Sequence, residues 1–287
     1  MPKVSALMPV YNSNLVSLKE TIESVLNQTF SDFEFLILND SPQNLELENF
    51  ILQFAKKDER IKYFKNPRNL GISSSRNKLT SLAKGEFLAV IDHDDISVKE
   101  RFEKQVAFLE ANEEVGVVGG FAKMSSNGKI SKFPTSDREI RLQLMFVMGM
   151  FHPTTMLRSS LLKTTQVRYN ELYSPAEDTK LWLDLLNHTK FANLSDTLIV
   201  YKDSDNTTAK SLQTLQAAWV ALRKYNQIHH SELFELAKQS ATKITRVRIF
   251  GISVLKITKR FDKKQILLFS RLPIYTSKTN RQFQEKI

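Results

Sequence analysis

Apolar and polar positions follow one another along the first ninety residues in blocks whose length and period separate strands from helices. Val4 to Val10 is a nearly unbroken apolar run of strand length, stopped by the turn-forming Tyr11-Asn12-Ser13-Asn14. Leu18, Ile22 and Val25 then recur at helical spacing, which predicts a helix from about Leu15 to Asn27. The alternation continues with a strand over Phe33 to Leu38 that ends in Asn39-Asp40-Ser41-Pro42, a helix over Leu45 to Ala55 and a short strand over Ile61 to Phe64. The loop Asn66-Pro67-Arg68-Asn69-Leu70-Gly71 precedes a helix over Ser73 to Leu82, and Phe87 to Ile91 is a fourth strand. Strand and helix in strict alternation imply a parallel sheet with helices on both faces.

Beyond Gly116 the pattern loosens. Strands are expected over Val115 to Ala122, Thr154 to Leu157 and Thr197 to Tyr201, helices over Arg138 to Phe146 and Glu177 to Asn187, and a hairpin turn at Asn127-Gly128. From Thr208 onward the chain reads as helical, with Leu212, Leu215, Trp219 and Leu222 on one face. A boundary near residue 205 divides it into a domain over 1–205 and an amphipathic helical extension over 206–287.

The 41% apolar content of the 287 residues supports a substantial core. There is no cysteine, so disulfides and thiolate metal sites are excluded, which fits a reducing compartment. The first ten residues have no charged region followed by a long apolar one, so no secretory signal is expected. The longest apolar stretch, Leu144 to Phe151, falls well short of the ~20 residues that span a bilayer. The net charge of +10 is uneven: residues 1–200 carry 24 Lys and Arg against 25 Asp and Glu, and residues 201–287 carry 17 against 6. Such asymmetry points to a separate role for the tail at an anionic surface.

The fourth strand ends in Asp92-His93-Asp94-Asp95, three carboxylates within four residues. Like charges this close repel unless a cation joins them, and a hard divalent metal carrying a phosphorylated ligand suits that position. The alternative is a solvated turn in which Asp95 or Ser97 caps a helix over Val98 to Glu110. Three strand ends deliver polar residues to one sheet edge: Tyr11 and Asn12, then Asp40, then the acidic run. Open α/β sheets bind ligands at that edge. No Gly-x-x-x-x-Gly-Lys-Ser/Thr or Gly-x-Gly-x-x-Gly pattern occurs, which disfavours P-loop and dinucleotide-binding readings.

The Met-Pro-Val-Tyr-Asn end of the first strand, Asp40, Asn69-Leu70-Gly71 leading to Ser75-Arg76-Asn77, and the Asp-x-Asp-Asp run at 92–95 together resemble the inverting glycosyltransferase family two. His152-Pro153 before Met156-Leu157-Arg158, and Ala176-Glu177-Asp178 before Leu181-Trp182-Leu183, match that family's later motifs in order. The resemblance covers about residues 2–205. It implies an α/β fold of GT-A type, a mostly parallel central sheet flanked by helices, here with the C-terminal helical extension.

The resemblance also implies an activity: metal-dependent transfer of a sugar from a nucleotide-diphosphate donor, expected to be a UDP-sugar, to a glycan or lipid-linked acceptor in bacterial surface polysaccharide or glycolipid synthesis. By position, Pro9, Tyr11, Asn12, Asp40, Asn69, Arg76, Asp92 and His152 would bind the nucleotide or donor. Asp94 would hold Mn²⁺ or Mg²⁺, with Asp92 as a second candidate ligand. Asp95 and Trp182 would lie on the acceptor side. Asp178 would be the base, with Glu177 as support or alternative. Each has a plainer reading, such as strand termination for Pro9, packing for Tyr11 and His152, and helix capping for Glu177 and Asp178. The chain departs from the family where relatives read Tyr-Arg-x-His: here Tyr201-Lys202-Asp203-Ser204-Asp205 puts Ser204 in place of the histidine. Asp203 or Asp205 could substitute, and Lys202 could hold a phosphate.

Between Lys243 and Lys264 eight basic residues stand against one acid, interleaved with Ile244, Val247, Phe250, Ile252, Val254, Leu255, Ile257 and Phe261. That composition suits an interfacial helix on anionic lipid within 242–271, so a cytoplasmic protein, peripheral at the inner face of the plasma membrane, is expected. Packing of the apolar face on the catalytic domain is the competing reading. Two other functions stay open. A sugar nucleotidyltransferase would need a glycine-rich phosphate loop where Tyr11-Asn12-Ser13-Asn14 stands. A polyanion-binding protein would need aromatics ordered among the basic residues, and no nucleic-acid partner is expected.

Overall fold

A computed structural model describes residues 1–202, 212–243, 248–249 and 252–253. The first half alternates as the periodicity predicts: β1 (Val4–Val10), α1 (Leu15–Leu26), β2 (Phe33–Asn39), α2 (Leu45–Ala55), β3 (Ile61–Lys65), α3 (Ile72–Leu82) and β4 (Phe87–Val90). These four strands pair in parallel, with Val4 opposite both Phe33 and Phe87. Every residue of β1 and β2 is buried, which is why both strands read as continuous rather than alternating apolar runs.

The remaining elements are β5 (Ile96–Ser97), α4 (Arg101–Ala111), β6 (Val115–Met124), β7 (Ile130–Ser131), α5 (Asp137–Leu144), β8 (Met156–Arg158), α6 (Ser159–Thr165), α7 (Glu177–Leu185), β9 (Lys190–Tyr201), α8 (Leu212–His229), α9 (Ser231–Lys243), β10 (Arg248–Ile249) and β11 (Ile252–Ser253). The main sheet runs β3-β2-β1-β4-β8-β6-β9-β5, with β7 paired to β6. β8 lies antiparallel to β4 and β6, whereas β6 and β9 are parallel. The expected parallel sheet thus holds for its first four strands and becomes mixed beyond them.

Several boundaries differ from expectation. Thr154 belongs to a 3-10 turn, His152–Thr154, rather than to β8. β9 begins at Lys190, ahead of the expected Thr197, because Asn193, Ser195 and Asp196 dilute its apolar pattern and its pairing with β6 carries register shifts. β10 and β11 pair antiparallel, which corrects the uniformly helical reading after Thr208; the β-branched residues there favour strand. The face of α8 is also shifted: Ala218, Leu222 and Asn226 are buried, while Leu215 is exposed.

Two cores lie on opposite faces of the sheet. Met8, Phe35, Ile37 and Phe87 pack with α1, α2 and α4 on one. Leu7, Leu36, Leu38 and Leu88 pack with α3, α5 and α7 on the other, and Leu222, Phe234 and Ala237 of α8 and α9 join that second core. The expected boundary at 205 falls outside the described residues, as do most of the proposed lipid-facing positions 242–271. Among the described residues no helix is long and apolar enough to cross a membrane.

Neither Asp95 nor Ser97 caps α4; its N-cap position is Glu100, with no side-chain cap bond. Ser97 Oγ instead accepts from Arg101 Nη1 at 3.1 Å. Arg101 is 1% exposed and donates to Val90 O at 2.8 Å, Thr155 O at 3.3 Å and Gln105 Oε1 at 3.1 Å. Burial lowers its pKa to about 10, so it stays cationic at neutral pH beneath the acidic turn. Arg101→Ala would remove the guanidinium donor from Val90 O, Ser97 Oγ and Gln105 Oε1 and the cation from beneath Asp95, and is expected to destabilise the fold by about 3 kcal/mol, read as a lower urea midpoint. A loss below about 1 kcal/mol would show that water replaces the guanidinium there.

Candidate active site

The site is built from three strand ends and two helix starts. At the end of β2, Asp40 is 3% exposed and clamps the loop before α3. Its Oδ1 accepts from Asn66 Nδ2 at 2.7 Å and Leu70 N at 2.9 Å, and its Oδ2 accepts from Gly71 N at 3.0 Å. Gly71 has φ of 82°, a left-handed conformation that favours glycine. Exposed Asn69 reinforces the turn, its Oδ1 accepting from Gly71 N at 3.1 Å. The clamp fixes where α3 starts and therefore which way Arg76 points.

Arg76 is 9% exposed and bridges two carboxylates. Nη2 donates to Asp92 Oδ1 at 3.0 Å, and Nη1 donates to Glu177 Oε1 at 3.3 Å. Burial acts to lower its pKa, but Asp92, Tyr169, Glu177 and Asp178 together raise it. Its guanidinium carbon lies 5.5 Å from the centre of the Tyr169 ring. The side chain of Asn77 holds the Tyr169 backbone on both sides, donating to its carbonyl at 2.9 Å and accepting from its N–H at 2.9 Å.

The acidic turn after β4 divides its carboxylates among different surroundings. Asp92 pairs with Arg76. Asp94 is half-buried, and burial raises its pKa, with Asp92 adding to the effect against His93 and Lys202. Asp95 is 3% exposed; its Oδ1 accepts from Lys202 N at 3.1 Å, and its Oδ2 has no hydrogen-bond partner. Burial, then the charges of Asp92 and Asp94, push Asp95 well above the ordinary carboxylate range. Asp95 is thus turned inward beneath β9 rather than toward an open acceptor side. The turn is tied to α1 by a 2.5 Å hydrogen bond between His93 Nδ1 and Ser13 Oγ, and Thr21 Oγ1 donates to His93 O at 3.1 Å.

At the other wall, α7 starts with Glu177 and Asp178. Glu177 is 6% exposed, and its Oε2 is buried without a partner. Asp178 Oδ1 accepts from Thr179 N at 2.6 Å. Burial, with Glu177 next, raises the Asp178 pKa to about 6, against the smaller opposing effects of the Thr179 N–H and Arg76. The helix N-terminus alone would lower it, so burial decides the outcome. His152 is buried between Tyr169, whose hydroxyl is 3.0 Å from Nε2, and the ring of Trp182, centred 5.8 Å away. Burial, then Arg76 and Arg101, hold the imidazole well below its usual pKa and hence neutral.

Beside Asp95, the structure corrects a second expected placement and gives detail to others. Trp182 is fully buried, so it does not line the acceptor side; it supports His152 from the core. His152 reaches the site through Tyr169. Pro9 is buried within β1, while Tyr11 is half-exposed. Asn12 takes a left-handed φ of 44° and donates its N–H to Ser41 Oγ at 2.8 Å, which joins the β1 and β2 ends. Lys202 pairs with Glu20, and Asp203, Ser204 and Asp205 lie outside the described residues. Sequence reasoning missed Tyr169 and Arg101: Val167-Arg168-Tyr169-Asn170 has no period, and Arg101 reads as an ordinary surface residue of a helix.

Among the described residues no three acids or histidines form a ready metal cage. Mg²⁺ or Mn²⁺ needs only one or two protein carboxylates when phosphate and water fill the other positions. The oxygen donors of Asp94 and Asp92 fit that requirement, and the Asp92 charge that adds to burial in raising Asp94 is what a cation would relieve.

Comparison with known proteins bears on the family and the fold. The family model described as Glycosyl transferase family 2 matches residues 5–165. An uncharacterized glycosyltransferase of Methanocaldococcus jannaschii is 32% identical over 249 residues, covering 81% of this chain and 85% of its own. The O-antigen biosynthesis glycosyltransferase WbnJ of Escherichia coli is 30% identical over 213 residues, covering 71% and 82%. Among solved structures, S. aureus TarS 1-349 in complex with UDP-GlcNAc superposes with a TM-score of 0.64 at 21% identity, covering 85% of this chain and 72% of that one, which shows a shared fold. A nucleotide-sugar transferase sheet of GT-A type, the family match and these relatives together establish that the chain belongs to glycosyl transferase family 2.

Proposed function

We propose that this glycosyltransferase is inverting and moves a hexosyl or N-acetylhexosaminyl group from a UDP-sugar to a hydroxyl of a glycan or lipid-linked acceptor in surface polysaccharide or glycolipid synthesis. The observation that carries the reading is the Asp92–Arg76–Glu177 bridge, which joins the acidic strand end to the helix start bearing Asp178. The O-antigen name of the E. coli relative supports the acceptor class, and UDP-GlcNAc in the S. aureus structure supports the donor class.

In this reading Pro9, Tyr11 and Asn12 shape the nucleotide pocket, and Asp40 and Asn69 form its base-facing rim. Asp40 is engaged by three N–H groups, so its contribution to the pocket comes through the loop it holds as much as through direct contact. Asp94, with Asp92 in support, would hold Mn²⁺ or Mg²⁺, and the bound ion supplies positive charge for the leaving diphosphate.

The acceptor hydroxyl attacks the anomeric carbon on the face opposite the diphosphate. The bond from that carbon to the phosphate oxygen breaks, the nucleoside diphosphate leaves with the electron pair, and the hydroxyl proton passes to Asp178. A carboxylate with a pKa of about 6 is ionised at neutral pH yet basic enough for the task. Arg76 holds Asp92 and Glu177 at fixed separation, and neutral His152 and buried Trp182 keep the floor dry and rigid.

A panel of nucleotide sugars, each assayed with and without Mn²⁺ and Mg²⁺, tests the class; no nucleoside diphosphate release from any donor overturns it. Asp178→Asn is expected to reduce transfer roughly 10²- to 10⁴-fold with donor affinity retained; full activity would move the base elsewhere. In the wild type, kcat/KM should climb as pH rises through about 6, where Asp178 loses its proton, and level off above it. Arg76→Lys should depress activity sharply despite the kept charge, since an ammonium lacks the planar fork that reaches both carboxylates. Asp94→Asn is expected to raise the half-saturating metal concentration and donor KM together, and unchanged metal dependence would exclude Asp94 as a ligand.

A further inference from the structure

Tyr169 belongs to no sequence motif of the site and takes no part in the proton and group transfers of the reaction, yet it touches two side chains on which they depend. Its hydroxyl is 3.0 Å from His152 Nε2, and the two rings meet nearly at right angles, at 82°. Its ring centre lies 5.5 Å from the guanidinium carbon of Arg76, within the range of a cation–π contact. Tyr169 is 8% exposed, so both contacts are shielded from bulk water, where polar interactions are stronger than at a surface.

The segment that carries this tyrosine is held in place by α3. Tyr169 lies between α6 and the 3-10 turn Glu171–Tyr173, outside any helix or strand, and the Asn77 side chain satisfies both its backbone N–H and its carbonyl. Asn77 directly follows Arg76 on α3, so the same turn of helix places the guanidinium and the ring beside it. The phenol is thus fixed at its backbone by Asn77 and at its hydroxyl by His152.

That hydroxyl selects one state of the imidazole. Burial pushes the Tyr169 pKa up, so the phenol keeps its proton at neutral pH, and the neutral His152 ring has one nitrogen able to accept it. Among the described residues, His152 Nε2 is the one hydrogen-bond partner of the hydroxyl. A buried phenol with a single partner aims its proton there, so Tyr169 donates to Nε2 and the ring proton of His152 stays on Nδ1. The opposite tautomer would set Nε2–H against the hydroxyl and leave the phenolic proton enclosed without an acceptor. With the tautomer fixed, Nδ1 is always a donor and never an acceptor.

We propose that Tyr169 is a positioning residue of the transfer reaction: its hydroxyl fixes the orientation and Nδ1–H tautomer of His152, and its ring backs the guanidinium that bridges Asp92 and Glu177. The proposal rests on the glycosyltransferase reading given above. Tyr169 exchanges no proton with the acceptor or the diphosphate; it holds its neighbours in the geometry in which Asp178 works. A displacement of about 1 Å in such a frame can cost on the order of 10²-fold in rate.

The test separates the hydroxyl from the ring. In the full chain labelled with ¹⁵N-histidine, two-bond ¹H–¹⁵N spectra report the tautomer of each imidazole, and His152→Gln identifies the His152 signals among those of the five histidines. The wild type is expected to show a protonated Nδ1 and a bare Nε2. Tyr169→Phe keeps the ring; it should turn His152 into a mixture of tautomers and lower kcat for UDP release from UDP-GlcNAc or UDP-glucose about five- to tenfold, the worth of one neutral hydrogen bond, with donor KM and UDP affinity kept. Tyr169→Leu also removes the ring and should cost roughly a further tenfold. Asn77→Ala, which frees the Tyr169 backbone, should move tautomer and kcat in the same direction, and supplies the decision if Tyr169→Phe does not fold. The proposal is overturned if the wild type carries its proton on Nε2, if Tyr169→Phe keeps the wild-type tautomer and kcat, or if kcat, UDP affinity and thermal midpoint fall together, as a merely structural role requires. No nucleoside diphosphate release by the wild type from any donor would overturn the transferase reading instead; the tautomer spectra need no turnover and decide the His152 contact in either case.

Discussion

One buried guanidinium organises this molecule's working end. Arg76 contacts Asp92 and Glu177, residues that arrive from opposite halves of the sheet. A cation placed between two carboxylates in a low-dielectric setting attracts both and shields each from the other. Without it, Asp92, Glu177 and Asp178 would face one another as like charges with no cation between them. The upstream Asp40 clamp, the left-handed Gly71 and the Asn77 clasp on Tyr169 all serve to set this one side chain.

The surroundings then sort chemically identical groups into unlike states. Asp178 and Asp95 are both aspartates with raised pKa values, yet Asp178 borders the Arg76 bridge, whereas Asp95 has one oxygen sealed in without a partner. Arg101, wholly enclosed, donates to backbone carbonyls and to Ser97 and Gln105, and the charges of Asp95 and Asp92 counter its burial. The acidic turn therefore sits over one buried cation and beside another, which is how so many carboxylates coexist at a single strand end.

The parallel half of the fold was legible because β1, β2 and β4 are buried on both faces and their helices carry clean apolar stripes. The motif residues were legible because strand ends in a parallel sheet share an edge, so Asp40 and Asp92 could be placed together without coordinates. What escaped has a common physical cause: it depends on contacts distant in sequence. Arg101 looks solvated until its partners Val90 and Thr155 are known. Tyr169 lies in an aperiodic loop whose shape comes from Asn77, and β8 was expected as a strand while its antiparallel direction, set by its pairing with β4 and β6, carries no local signal. Trp182 was assigned to the acceptor side from its motif, but its indole is core, since a large aromatic on α7 faces the sheet.

The Arg76–Glu177 contact joins residues separated by 101 positions, and the Asp95–Lys202 bond joins residues 107 apart. Long loops of this kind close late, because chain entropy opposes them until neighbouring packing is in place. During synthesis the β1–β4 layer, whose partners are close in sequence, can therefore assemble while its charged rim is still open. The rim closes only when α7 and the end of β9 have emerged, which makes the completed site a report that the C-terminal half of the sheet has docked.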